Sequence, residues 1–260
     1  MDHDHNRRGE RATAALRHHD FRLLWAGEFV STMGTQMQTV AIAWHLYLLS
    51  GSSARDAALQ LGALGLVRAI PTISFALVGG AFADTRDRRQ VLLITQALLG
   101  AISAILAIAT ATGNVSITLI YALTLLTATV SVFDDPARAA LIPNLVPRHH
   151  LAQALTLNIL VRNVAAVAGP AAGGLAIATV GLSATYWLDA ASFAAVIGAL
   201  LAMRLRPKTP VVTGSGLQTV IEGLRFVRHN PVILALMALD FLATLFGSSL
   251  LLMPIFADEI

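Results

Sequence analysis

Cysteine is absent from the 260 residues, which excludes disulfides and thiolate metal sites. Charge is scarce at 13% Asp, Glu, Lys and Arg, too little to cover the surface of a soluble domain this size. Aromatics make up only 6%, and Ala, Leu, Ile and Val dominate, which suits helices over barrel strands. There is no Gly-x-x-x-x-Gly-Lys loop, so direct use of ATP is not expected. No nucleophile–base constellation stands out, so neither an enzyme nor a cofactor is expected. His3, His5, His18 and His19 lie in a charged tail without ligands at zinc spacing and read as solvated. What is present is a 56% hydrophobic chain with a mean hydropathy of +0.69. Apolar runs of roughly 20 residues recur, the length that crosses a bilayer as a helix. The fold class is therefore all-α integral membrane.

Seven spans are predicted at 21–49, 57–83, 90–111, 116–133, 152–178, 183–203 and 231–256. The first 20 residues are polar and show no cleavable signal, so the first apolar run is expected to stay in the membrane. All but Arg55, Arg68 and Arg162 of the 18 lysines and arginines then fall on one side. The positive-inside rule makes that side cytoplasmic, with the N-terminus there. The isoelectric point near 9.9 follows from this asymmetry and not from a nucleic-acid footprint. The outer connections around Thr112–Val115 and Gly181–Leu182 are very short and demand antiparallel pairs. Two triplets of opposite direction are compatible with inverted repeats, although no residue-level self-similarity is visible. Residues 209–216 form a polar linker. Beyond it Leu217, Val220, Ile221, Leu224 and Val227 share one helical face, the pattern of a helix lying on the inner membrane surface or of a plain linker helix.

Three stretches carry motifs. After the second span, Gly80 precedes Asp84 and the basic run Arg86, Arg88 and Arg89; glycine permits close helix approach and arginine anchors the turn near anionic headgroups. In the fifth span Asn158, Arg162, Ala165, Gly169 and Gly173 share one face, and Pro170 bends the helix. Gly169, Pro170, Gly173 and Gly174 make a surface on which another helix packs tightly. Between spans four and five lies Phe133-Asp134-Asp135-Pro136-Ala137-Arg138, in which Asp134 or Asp135 is expected to cap and Pro136 to start a new helix.

These stretches resemble the major facilitator superfamily of transporters. The first is similar to its loop 2–3 motif, with Thr85 and Asp87 replacing an Arg and a Gly. The second is similar to the Gly-Pro motif of antiporters. Phe133–Arg138, together with Trp44, Tyr47 and Gly51-Ser52, resembles the enterobactin-exporter-like and macrolide-efflux-like branch. The resemblance runs from about His18 onward. It implies an N-terminal six-helix bundle over residues 21–203, behind a cytoplasmic tail at 1–20. A linker at 204–230 and the first helix of an incomplete C-terminal bundle at 231–260 would follow. It also implies that Asp84, with Gly80, Arg88 and Arg89, latches against a helix of the second bundle, and that the Gly169-Pro170 face packs there too.

Buried polar residues suggest a working site. Glu28, Thr32, Thr35 and Thr39 form a stripe on the first span, flanked by Gln36, and such a stripe faces a cavity or a bonded partner helix. At ~1.5 Å per residue, Glu28 lies ~10 Å from the cytoplasmic end, Asp240 ~14 Å and Arg162 ~15 Å. Glu28 or Asp240 is the candidate proton-coupling group, with Arg162 as its partner; the alternative is that Glu28 snorkels to the near interface and Asp240 caps a packing contact. Arg68 and Asn158 are further cavity candidates, although Arg68 can equally snorkel outward. His45 reads as a packing or interfacial residue, and Tyr186, Trp187 and Asp189 as outer-interface residues.

By resemblance the chain is expected to be a multi-pass protein of the inner (plasma) membrane. It would export a small drug- or siderophore-like molecule by alternating access, coupled to protons. The alternatives are an uptake symporter, or a truncated half-protein that works only with a partner chain. The expected partners are the lipid bilayer, the small molecule and protons; no nucleic acid is expected.

Overall fold

The computed structural model describes residues 14–51, 54–204 and 225–247. Among them every element is helical. A short turn, Ala14–Arg17, leads into α1 (His19–Leu49), followed by α2 (Ala54–Thr85), α3 (Arg88–Ala111) and α4 (Ile117–Leu145). A turn at Arg148–His150 opens the long α5 (Leu151–Ala202), and α6 spans Pro231–Gly247. The stretches 55–75, 88–111, 117–145 and 148–202 are long and apolar enough to cross a membrane. α1 is as long, with 31 residues, but its polar stripe keeps it out of that group.

α5 is two helices joined at a single residue. Gly181 adopts φ 84° and ψ 173° inside it, a positive φ that residues with a Cβ avoid. Contacts with α1 show that the chain reverses there. Trp25 Nε1 donates to the Leu157 carbonyl, and Gly173 lies against Met37, so residues 151–180 (α5a) run parallel to α1. Gly27 lies against Val196 and Ala199, and Gly34 against Asp189 and Ser192, so residues 182–202 (α5b) run antiparallel to it. α1 is thus gripped between both arms, and glycines on either side permit the approach.

α3 runs antiparallel to α5b, from Arg89 at the Leu200 carbonyl to Ser183 at the Ala107 carbonyl. α4 pairs with α3 through Asp134 and Thr95, and with α2 through the Tyr121 hydroxyl and Gln60. One apolar core near the predicted cytoplasmic end includes Phe21, Leu24, Leu92, Leu141 and Leu200. A second, near the other end, includes Leu46, Leu61, Leu106, Ile120 and Tyr186. Large apolar side chains such as Ile73 and Val167 point outward, as a surface bathed in lipid requires.

Several sequence expectations change here. The fourth span does not end at 133: α4 continues through Pro136 and Pro143 to Leu145. Asp134 and Pro136 therefore do not start a new helix. Tertiary hydrogen bonds to Asp134 hold the backbone helical where the proline removes one bond of the ladder. Arg138, assigned to a cytoplasmic loop, is a buried residue of α4. Tyr186 and Asp189 are not interfacial; both are fully buried, whereas Trp187 is 47% exposed. The surface helix expected at 217–227 falls mostly on residues outside those described.

Candidate functional site

A polar crevice opens between α1, α2 and α4. Its volume is about 490 Å³, and Thr35, Gln38, Thr39, Arg68, Thr124 and Asp135 are among its lining residues. A second cavity of about 360 Å³ continues it toward the N-terminal end of α1, where Glu28, Thr32, Gln36, Asp134, Arg138 and Arg162 contribute. Thr35, Ser131 and Asp135 line both. The stripe on α1 therefore faces a cavity along its length.

Charges in the crevice are arranged in two pairs around Glu28. Arg138 Nη2 lies 2.8 Å from Asp134 Oδ2, one helical turn apart. Thr95 Oγ1 and Gln96 Nε2 also donate to Asp134 Oδ1, at 2.5 and 2.9 Å. That pair is enclosed and its hydrogen bonds are made, which makes it a structural strut. The second pair is looser: Arg162 Nη2 stands 3.6 Å from Asp135 Oδ1, and the two side chains are 52% and 66% exposed. Glu28 lies between the pairs and is itself buried. With its amide nitrogen turned to the carboxylate, Asn158 donates to Glu28 Oε1 at 2.7 Å and to Oε2 at 3.0 Å. Arg138 and Arg162 are the cations that act on Glu28.

The structure thus brings together Glu28, Arg162, Asn158, Thr32, Thr35, Gln36, Thr39 and Arg68. The side chains of Asp240 and Asp84 and the surroundings of Gly80 lie outside what the structure describes. Arg88 and Arg89 are spent locally: Arg88 Nη1 donates to the Ala140 carbonyl, and Arg89 Nε and Nη2 to those of Leu200 and Leu201. Asp87, read from sequence only as a departure from a motif, caps α3 by accepting from the Arg89 N–H at 2.9 Å.

The glycine motif of α5a needs a correction. Its face was expected against a second bundle, but Gly169 meets Gln36 and Gly173 meets the Met37 backbone, both on α1 of the same bundle. Gly174 has nothing within 4 Å, and Pro170 is half-buried. Sequence reasoning also missed the Asp134–Arg138 pair as a buried element, and with it Thr95 and Gln96. The i, i+4 spacing of Asp134 and Arg138 was a visible signal; the punctuating Pro136 masked it.

Known proteins resemble this chain in sequence. The transmembrane secretion effector family of the major facilitator superfamily matches residues 10–260. The multidrug efflux pump Tap of Mycolicibacterium fortuitum is 32% identical over 225 residues, covering 81% of this chain and 53% of the relative. The enterobactin exporter EntS of Shigella boydii is 27% identical over 242 residues, covering 93% of this chain and 57% of the relative. EntS of Escherichia coli O1:K1 is 26% identical over the same length. The chain spans little more than half the length of these curated relatives. Helices, polar crevice and sequence together place it: the chain belongs to the transmembrane secretion effector family of the major facilitator superfamily.

Proposed function

We propose that this chain supplies the cavity-bearing part of an exporter, which moves a small molecule outward by alternating access coupled to protons. The observation that carries the reading is the continuous crevice, in which a lone buried glutamate sits between two arginine-bearing pairs. A carboxylate inside a membrane bundle is costly and is generally functional. Glu28 is the proton carrier in this reading. Asp135 and Arg162, exposed to the open side, form the pair that substrate or proton uptake rearranges. Thr35, Thr39 and Arg68 supply hydrogen bonds and charge for the substrate. The protein sits in the inner (plasma) membrane with its N-terminus in the cytoplasm.

Inverted vesicles carrying the chain, with ethidium as the transported probe and an imposed pH gradient, test this. Ethidium uptake driven by the gradient is expected, and Glu28→Gln is expected to abolish it while leaving gradient-free exchange of the dye intact. Transport of the opposite sign would indicate an uptake symporter instead. A second reading rests on the outward-facing Asp135–Arg162 pair: the chain works only when assembled with a partner chain. Cross-linking from a cysteine placed at Arg162 would capture that partner. Dye transport by the monomeric chain alone would exclude it.

A further inference from the structure

Between α1, α3 and α5b lies a carboxylate that the crevice does not touch. Asp189 is fully buried. Its Oδ2 accepts from the Ser103 hydroxyl at 2.6 Å, and Ser103 Oγ accepts from Gln38 Nε2 at 2.7 Å. Gln38 also lines the crevice, so two hydrogen bonds separate the crevice wall from Asp189. The other carboxyl oxygen, Oδ1, has no hydrogen-bond partner.

Its surroundings set Asp189 apart from the other acidic groups of the bundle. Asp134 is paired with Arg138, and Asp135 with Arg162; Glu28 has both arginines acting on it. Among the described residues no cation pairs with Asp189. α1 presents Gly34, Gln38 and, farther out, His45; α3 presents Ser103; its own helix adds Tyr186 and Ser192. His45 is already engaged, its Nδ1 lying 3.2 Å from the Tyr186 hydroxyl. The backbone is fitted closely to this group: a Cβ on Gly34 would stand 2.9 Å from Asp189 Oδ1 and 2.5 Å from Ser192 Oγ. A carboxylate enclosed without a counter-charge is the kind of group that lives by gaining and losing a proton.

We propose that Asp189 is a second proton-binding site, served from the crevice through Ser103. In binding, Ser103 passes its hydroxyl proton to the Asp189 carboxylate along their hydrogen bond, so one O–H bond breaks as another forms, and Ser103 regains a proton from hydronium in the crevice, which is left as water; release runs the same exchange in reverse. Gln38 is a positioning residue. Its N–H occupies a lone pair of Ser103 and so turns the Ser103 hydroxyl toward Asp189. The use of this site in transport rests on the exporter reading above, but its protonation does not.

Infrared difference spectra of the full chain in nanodiscs, labelled with carbon-13 aspartate and recorded across a pH series, test the site. One carboxyl carbonyl band is expected to grow as pH falls, to vanish in Asp189→Asn and to persist in Glu28→Gln. Ser103→Ala is expected to keep that band at a higher frequency, because its hydrogen bond is gone, and to slow its deuterium exchange. Should Asp189→Asn fail to fold, the Ser103→Ala shift decides the assignment. No titrating band, a band indifferent to both substitutions, or one that follows sodium in place of pH overturns the proposal. Gradient-driven ethidium transport without an Asp189 band leaves the exporter reading standing and removes this one. An Asp189 band without gradient-driven transport does the reverse.

Discussion

At the scale of single residues, the buried Asp134–Arg138 pair and the histidines near the start of α1 give the sharpest expectations. Arg138→Met leaves Asp134 enclosed and uncompensated, which costs about 3–5 kcal/mol. Adding Asp134→Asn should recover most of it, and thermal unfolding in detergent reads both. Near the start of α1, His18 Nε2 lies 3.0 Å from His150 Nδ1, and the His149 and His150 rings meet edge to face. Desolvation, then the charges of His149, His18 and Arg17, hold the His150 imidazole below its ordinary value of 6.5. The fold therefore favours neutral His150. Its contribution is complete above 6.5 and is lost as pH falls through the lower folded value. The melting temperature should thus drop as pH falls from 6.5 through that lower value and level off beneath it, and drop less in His150→Asn. The lone Asp134 or Asp189 in the sequence says nothing of this kind, because spacing reports a face and not what lies opposite it.

Among the helices, the grip of α5 on α1 is the feature most open to test. A Cβ on Gly173 would stand 2.9 Å from the Met37 Cα, which is backbone and cannot swing aside. Gly173→Ala should therefore force the helices apart and cost about 1–3 kcal/mol. Gly174→Ala has open space and should be neutral or gain up to about 1 kcal/mol of helix propensity. Comparing the two melting temperatures separates contact from propensity. The existence of these helices was legible, because unbroken apolar runs leave few other structures in a bilayer. The end of α4 was not. Pro136 is a local stop signal, and what overrides it, Thr95 and Gln96 donating to Asp134, comes from a helix some forty residues earlier. Tyr186 and Asp189 were misplaced for a related reason: an aromatic beside a charge near a span end looks interfacial until the neighbouring helices are in place.

For the whole molecule, orientation is the property that sequence argues and that labelling can decide. The chain has no native cysteine, so a single introduced thiol reports one position. A cysteine at Asn114, in the exposed turn after α3, is expected to react with an impermeant maleimide on intact cells. One at Arg148, at the far end of the bundle, should react only after permeabilisation; the reverse pattern would invert the proposed topology. The family and helical class were readable from composition and motifs at this scale. The crevice was readable only as a stripe on one helix, since α2 and α4 supply its other walls and no spacing in α1 names them.

The single-residue turn at Gly181 has a consequence for how the molecule is made. With no loop between them, α5a and α5b have no freedom to enter the bilayer one at a time. The first arm cannot settle with its far end across the membrane while the second is still being synthesised without drawing that second arm after it. The two must be delivered by the insertion machinery as one helical hairpin, and α1 must wait for both before its glycine faces are covered.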